Sequence, residues 1–127
     1  MPIIDEQLRE LEQFWTGSSH ERLPSGAVLI VVPDVKLPPG WSRDSVTVRF
    51  LAPVGYPHAK PDCFWADPGL RLANQALPNA ANESNPIPEV MNSGGIWFSW
   101  HAAQWNPNRD TLLTYVNVIQ DRFRKAQ

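Results

Sequence analysis

Apolar positions recur along the chain in distinct rhythms, and each rhythm predicts a different element. Near the N-terminus Ile4, Leu8, Leu11 and Trp15 fall three or four residues apart on an otherwise charged stretch, which predicts a helix over Asp5 to Trp15 with one buried stripe. Asp5 and Glu6 lie in its first turn, where negative charge suits the helix dipole, and Gly17 ends it. Ala27 to Val32, AVLIVV, is an unbroken apolar run rich in β-branched residues, the pattern of a strand buried on both faces, and Pro33 weakens the ladder after it. Ser45 to Ala52 alternates Val46, Val48 and Phe50 against Thr47 and Arg49, the period of a strand with one buried face. Lys36 to Trp41 between them carries Pro-Pro-Gly punctuation, so the strands form a hairpin with a wide loop. Leu112, Val116, Ile119 and Phe123 restore the helical rhythm near the C-terminus. Asn106 before Pro107 reads as the start of that helix, and Arg122, Arg124 and Lys125 occupy its last turn.

The stretches without rhythm are informative too. Gly55 to Leu70, GYPHAKPDCFWADPGL, holds Pro57, Pro61 and Pro68, which exclude a continuous helix or central strand. Its Tyr56, Phe64, Trp65 and Leu70 predict a rigid wall packed into the body, with Asp62 to Asp67 as a third short strand. Thr16 to Gly26 reads as a connector. Arg71 to Gly95 combines asparagines and prolines with few large apolar residues and reads as a long flap, before Ile96 to Trp100 returns as a dense aromatic segment. The order is an N-terminal helix, an antiparallel β-meander, a Pro-rich corner and flap, and a C-terminal helix: an α+β fold.

Composition narrows the classes. A chain of 127 residues with 43% apolar content suits one domain, 1–127, with a real core. The formal net charge of -2 with scattered Lys and Arg argues against nucleic acid as partner. No apolar run is long enough for a membrane span and no secretory signal pattern opens the chain, which predicts a cytoplasmic protein. Cys63 stands alone, so no internal disulfide forms, and His20, His58 and His101 are too dispersed for a zinc site; no metal or other cofactor is expected. Beside Phe64, Cys63 reads as a small buried hydrophobe. The tryptophans read chiefly as core filler, with Trp97, Trp100 and Trp105 as a patch for a partner.

Four motifs in order resemble the ubiquitin-conjugating enzyme family, and its bacterial branch in particular: Leu37 to Gly40, Gly55 to Asp62, Ser99 to His101, and Trp105 to Asp110. The resemblance runs from about Ala27 to the C-terminus and implies a ubiquitin-conjugating-enzyme-like fold. As partners it implies a ubiquitin-like protein and an activating-type (ThiF-like) enzyme. It also puts Trp97 where that family's catalytic cysteine stands, so thioester chemistry there is excluded, and no His-Pro-Asn step supplies the usual oxyanion-stabilising asparagine; Asn92 or the Asn-rich flap is the substitute.

Ser99 and His101 are then the best chemical pair. Two residues apart on an extended strand, hydroxyl and imidazole point to the same side, and histidine can take the proton that keeps serine a poor nucleophile. An oxyester acyl carrier follows, with Asp110 or Asp62 orienting His101, and with Tyr56, Trp97, Trp100 and Trp105 as binding residues. Three readings stand open: this carrier, a non-catalytic variant that binds the ubiquitin-like protein or activating enzyme, and an unrelated module whose tryptophans hold carbohydrate or peptide.

Overall fold

The computed structural model describes residues 3–91 and 93–127. Its elements are α1 (Ile3–Phe14), β1 (Ser19–Arg22), β2 (Val28–Lys36), β3 (Ser45–Ala52), β4 (Phe64–Ala66), β5 (Ala81–Asn82), β6 (Ile96–Phe98) and α2 (Leu112–Phe123). The strands form one antiparallel sheet in the order β1-β2-β3-β4-β6-β5. The architecture is α+β.

The alternation along the strands sorts the sheet into two faces. Val28, Ile30 and Val32 of β2, with Val46, Val48 and Phe50 of β3, are buried on the face that also takes Leu8 and Leu11 of α1 and the whole predicted stripe of α2. Leu29 of β2 and Trp65 of β4 face the other way, into a smaller cluster closed by Leu23, Ala27 and Ile87. That arrangement explains why AVLIVV is continuously apolar: each face of β2 has its own cover. At the centre of the larger core Phe98 stacks on Phe64 with ring centroids 4.6 Å apart, and the edge of Phe123 closes on both rings.

Several expectations needed correction. The connector 16–26 contains strand β1, which pairs with β2 although all four of its residues are exposed. Pro33 does not end β2; the strand continues through a register shift between Val32 and Val35, where Asp34 adopts a φ of 60°. The flap at 71–95 is partly built structure: it supplies β5, a bridge between Leu72 and Trp41, and the buried Ile87. Its asparagines close local turns, Asn74 accepting from Ala76 N at 3.0 Å and Asn82 from Ser84 N at 3.0 Å. The C-terminal helix starts at Leu112 rather than after Asn106. Thr111 is its N-cap and exchanges side chain-to-backbone bonds with Thr114 in a capping box, while Asn106 to Asp110 forms a separate turn in which Asp110 N donates to Asn106 O at 2.7 Å.

Three tryptophans fasten loops to this body. Trp41 Nε1 donates to Phe123 O at 2.8 Å, Trp65 Nε1 to Asn85 O at 2.6 Å, and Trp105 Nε1 to Pro57 O at 2.8 Å. Arg122 lies in the last turn of α2 as expected, and is buried there, 4% exposed.

Candidate functional site

The rim at the end of β6 carries three of the singled-out residues, Ser99, Trp100 and His101. Phe98 anchors the strand in the core, and the chain then folds into a three-residue turn, Trp100 N donating to Phe98 O at 3.0 Å with Ser99 at its apex. Ser99 is held on both sides: its N donates to Ala80 O at 2.9 Å, and the hydroxyl of the buried Tyr115 donates to Trp100 O at 2.7 Å. The Ser99 side chain is exposed. This turn also breaks the strand alternation, so the two-residue spacing of Ser99 and His101 does not guarantee a shared side, and no hydrogen bond joins them among the described residues.

His101 is solvent-facing, with Nδ1 3.8 Å from Asp62 Oδ1, both side chains more than half exposed. That separation is outside hydrogen-bond range and makes a loose ion pair when the imidazole is protonated. Of the two orienting carboxylates, Asp62 is thus the one near His101. Asp110 is buried in its own turn, where Oδ2 accepts from Asn106 N at 2.7 Å and Oδ1 lies 3.5 Å from Arg109 Nε. Asn92 lies outside the described residues.

The aromatic residues separate into different roles. Trp97 is half-buried on β6 opposite Trp65 and packs against the smaller core. Trp105 is held through its indole and lies 6.1 Å from the Tyr56 ring, while the Tyr56 hydroxyl donates to Gln7 Oε1, which also accepts from Leu112 N at 3.0 Å. Burial, and then the charges of Glu10 and Asp110, push the Tyr56 phenol well above its ordinary range. These two side chains knit α1, the Pro-rich corner and α2 together. Cys63 is half-buried, and burial pushes its thiol up, with a bond to Trp97 opposing and Asp62 adding to the shift. Of the four singled-out aromatic residues Trp100 is the exposed one, at 40%.

One part of the site gave no sign in the sequence. Beneath Trp100 the guanidinium of Arg122 sits 5.4 Å from that ring, 5.2 Å from Phe98 and 5.7 Å from Trp41. It borders a cavity of about 240 Å³ lined by Asn79, Trp100, Asp121, Arg122, Lys125 and Gln127. Nothing in the local sequence distinguishes Arg122 from Arg124, whose guanidinium pairs with Asp121 at 2.6 Å on the surface.

Among the described residues no group of three or more His, Cys, Asp or Glu side chains is arranged to hold a metal ion, and no helix is long and apolar enough to cross a membrane. No curated protein and no solved structure matches the chain. One family's sequence profile, described as prokaryotic E2 family E, matches residues 5–126, from the first turn of α1 past the end of α2, and the chain belongs to that family.

Proposed function

We propose that this chain carries the acyl end of a ubiquitin-like protein as an oxyester on Ser99 between an activating-type enzyme and a later acceptor. Membership of prokaryotic E2 family E supports the broader part of this reading, a ubiquitin-conjugating-like role in a bacterial pathway with a ubiquitin-like protein and an activating enzyme as partners, and leaves the unrelated tryptophan-based module without motivation. The single observation behind the serine is its setting. It is an exposed hydroxyl at the apex of a turn whose flanking backbone is fixed by Ala80 and Tyr115, next to an open histidine with Asp62 at its Nδ1.

In the proposed step Ser99 Oγ attacks the activated carbonyl carbon of the ubiquitin-like protein. A C–O bond forms, the bond to the leaving group of the activated donor breaks, and the hydroxyl proton passes to His101, which returns it to the leaving group. The step requires His101 to rotate toward the hydroxyl, and its ring is exposed. Trp97, in the family's cysteine position, fills space, and Cys63 with its raised pKa takes no part.

Reconstitution with activating enzyme, ATP and ubiquitin-like protein tests this. The expected adduct survives thiol reductants, breaks in alkali or hydroxylamine, maps to Ser99 by mass spectrometry, is absent from Ser99→Ala, persists in Cys63→Ala, and forms about a hundredfold more slowly in His101→Ala. An adduct on Cys63, or on lysine alone, overturns it. A binding-only role is favoured by one observation, the missing Ser99–His101 hydrogen bond. It predicts no adduct at all, with Trp100→Ala weakening partner association by more than about 1 kcal/mol.

A further inference from the structure

On the sheet face turned away from the helices, residues 85–90 cross the smaller core without joining the β-ladder. Among the described residues no backbone–backbone hydrogen bond ties them to the sheet, and of the six only Ile87 is buried, 3% exposed. Ile87 plugs the cluster formed by Leu23, Ala27, Leu29 and Trp65. Around the plug the segment is stiff. Pro86 and Pro88 fix φ on either side of it, and Val90 N closes a turn on Ile87 O at 3.2 Å. Ser93 Oγ clips the same turn, accepting from Ile87 N at 3.0 Å and donating to Val90 O at 2.9 Å. The segment therefore owes its shape to its own bonds and not to the sheet beneath it.

Two polar fastenings hold it down, one near each end. Trp65 Nε1 donates to Asn85 O at 2.6 Å, and Ser25 donates twice to the Glu89 carboxylate, from N at 2.9 Å and from Oγ at 2.6 Å. Glu89 has a φ of 65° and stands third in a turn whose second residue is Pro88, where glycine or asparagine fits without strain. A glutamate there costs backbone energy, and the pair of bonds to Ser25 is what it gains. Those bonds are exposed, so water competes for both partners and the clasp releases without disturbing the core. Under the segment the fit is loose: a cavity of about 370 Å³ lies between Leu29 and Arg49 of the sheet, Pro68, and Ile87, Val90 and Met91.

We propose that residues 85–90 form a strap that lifts as one rigid unit, with Ile87 as its plug and the Ser25–Glu89 clasp as its catch, baring the Trp65 side of the sheet while the larger core stays folded. Lifting withdraws one buried apolar side chain and breaks the bonds at Asn85 and Glu89, a small fraction of what holds the fold, so it is a local opening. Trp97 packs against the same cluster, on the strand that leads into the Ser99 turn. The catch, in the turn between β1 and β2, thereby governs the cover over the outer side of β6.

Hydrogen exchange on the isolated full chain, followed by NMR, tests this. Ser25 N–H and Trp65 Nε1–H sit on the body and are covered by opposite ends of the strap. A single lifting event gives them protection factors within about tenfold of each other, with a urea dependence weaker than that of global unfolding. Glu89→Ala removes the catch from an exposed position. It is expected to speed exchange of Trp65 Nε1–H by about fivefold or more, although no hydrogen bond joins Glu89 to that indole, while the indoles of Trp41 and Trp105 exchange as before. Ser25→Ala leaves one of the two bonds and should give a smaller increase. Protection at Ser25 and Trp65 differing by more than about tenfold means that the two ends fray separately, and overturns the strap. A Trp65 response to Glu89→Ala below about fivefold, or an equal response at Trp41 and Trp105, overturns the catch. The comparison of Ser25 with Trp65 needs no variant, so it decides even if Glu89→Ala does not fold.

Discussion

Phe98→Ala is the perturbation that most directly tests how the rim is held. The ring is fully buried, stacked on Phe64 with planes 5° apart and met edge-on by Phe123 at 5.7 Å. Removing it forfeits about 2 to 3 kcal/mol of burial, adds a cavity that the surrounding rings cannot collapse into, and deletes aromatic pair energy of about 0.5 to 1.5 kcal/mol per pair; a total near 4 kcal/mol follows. Against an ordinary domain stability of about 5 to 15 kcal/mol the variant stays folded but weakened, with a melting temperature lower by on the order of 15 °C. Urea titration followed by circular dichroism gives the loss, and a cycle with Phe64→Ala gives the pair term, expected at about 0.5 to 1.5 kcal/mol. A loss below about 1 kcal/mol would refute the reasoning, because β6 would then not be anchored through this ring. A large loss with no coupling to Phe64 would place the energy in burial and not in the stack.

Three shorter predictions accompany it. Gly95→Ala places a Cβ 2.7 Å from the carbonyl oxygen of Ala66, a backbone atom that cannot yield without parting β4 from β6, so a loss of about 1 to 3 kcal/mol is expected in urea; unchanged stability would mean the strands sit further apart. Thr111→Ala removes the helix cap and should cost about 1 kcal/mol, whereas Asn106→Ala should cost less; the reverse order by thermal melting would restore Asn106 as the helix start. Burial, with Cys63 and Asp62 adding to it, raises the Tyr115 phenol above its ordinary 10.0. The unfolded chain therefore loses that proton first, stability contributed by the neutral phenol is intact below about pH 10, and above it falls by about 1.4 kcal/mol per pH unit. A urea midpoint that does not move between about pH 9 and about pH 11 would contradict this, and Tyr115→Phe should reduce the dependence, leaving the share of Tyr56, whose phenol is raised as well.

The elements legible in the sequence were those whose own periodicity is also their packing. The stripe Leu112, Val116, Ile119 and Phe123 is buried along its length, and Ser45 to Ala52 alternates in burial as it alternates in polarity. What escaped was set by neighbours far along the chain. Strand β1, SHER, has no apolar face because it pairs through its backbone at the sheet edge and buries nothing. Asn106-Pro107 carries a helix-start signal as good as Thr111, but Asp110 turns back to the Asn106 amide and closes a turn there instead. Ser99 and His101 were visible as residue types; the spacing argument for their alliance assumed a strand that ends one residue earlier, at Phe98. Arg122 could not be read at all, since its burial comes from Trp41 and, far along the chain, Phe98 and Trp100 converging on it.

The indole fastenings make the protein its own clock for loop release. Each of the three pinned N–H groups ends on the main chain of a different segment: the last turn of α2, the loop at Asn85, and the corner at Pro57. An indole proton exchanges with solvent only when its fastening opens, so one exchange experiment reports three opening free energies in a single sample. Trp65 holds the loop that covers the smaller core, Trp105 the corner beside Tyr56, and Trp41 the helix end that carries Arg122. A partner that seats on the rim would slow the protons under its footprint and leave the others unchanged, which maps its contact without any structure of the complex.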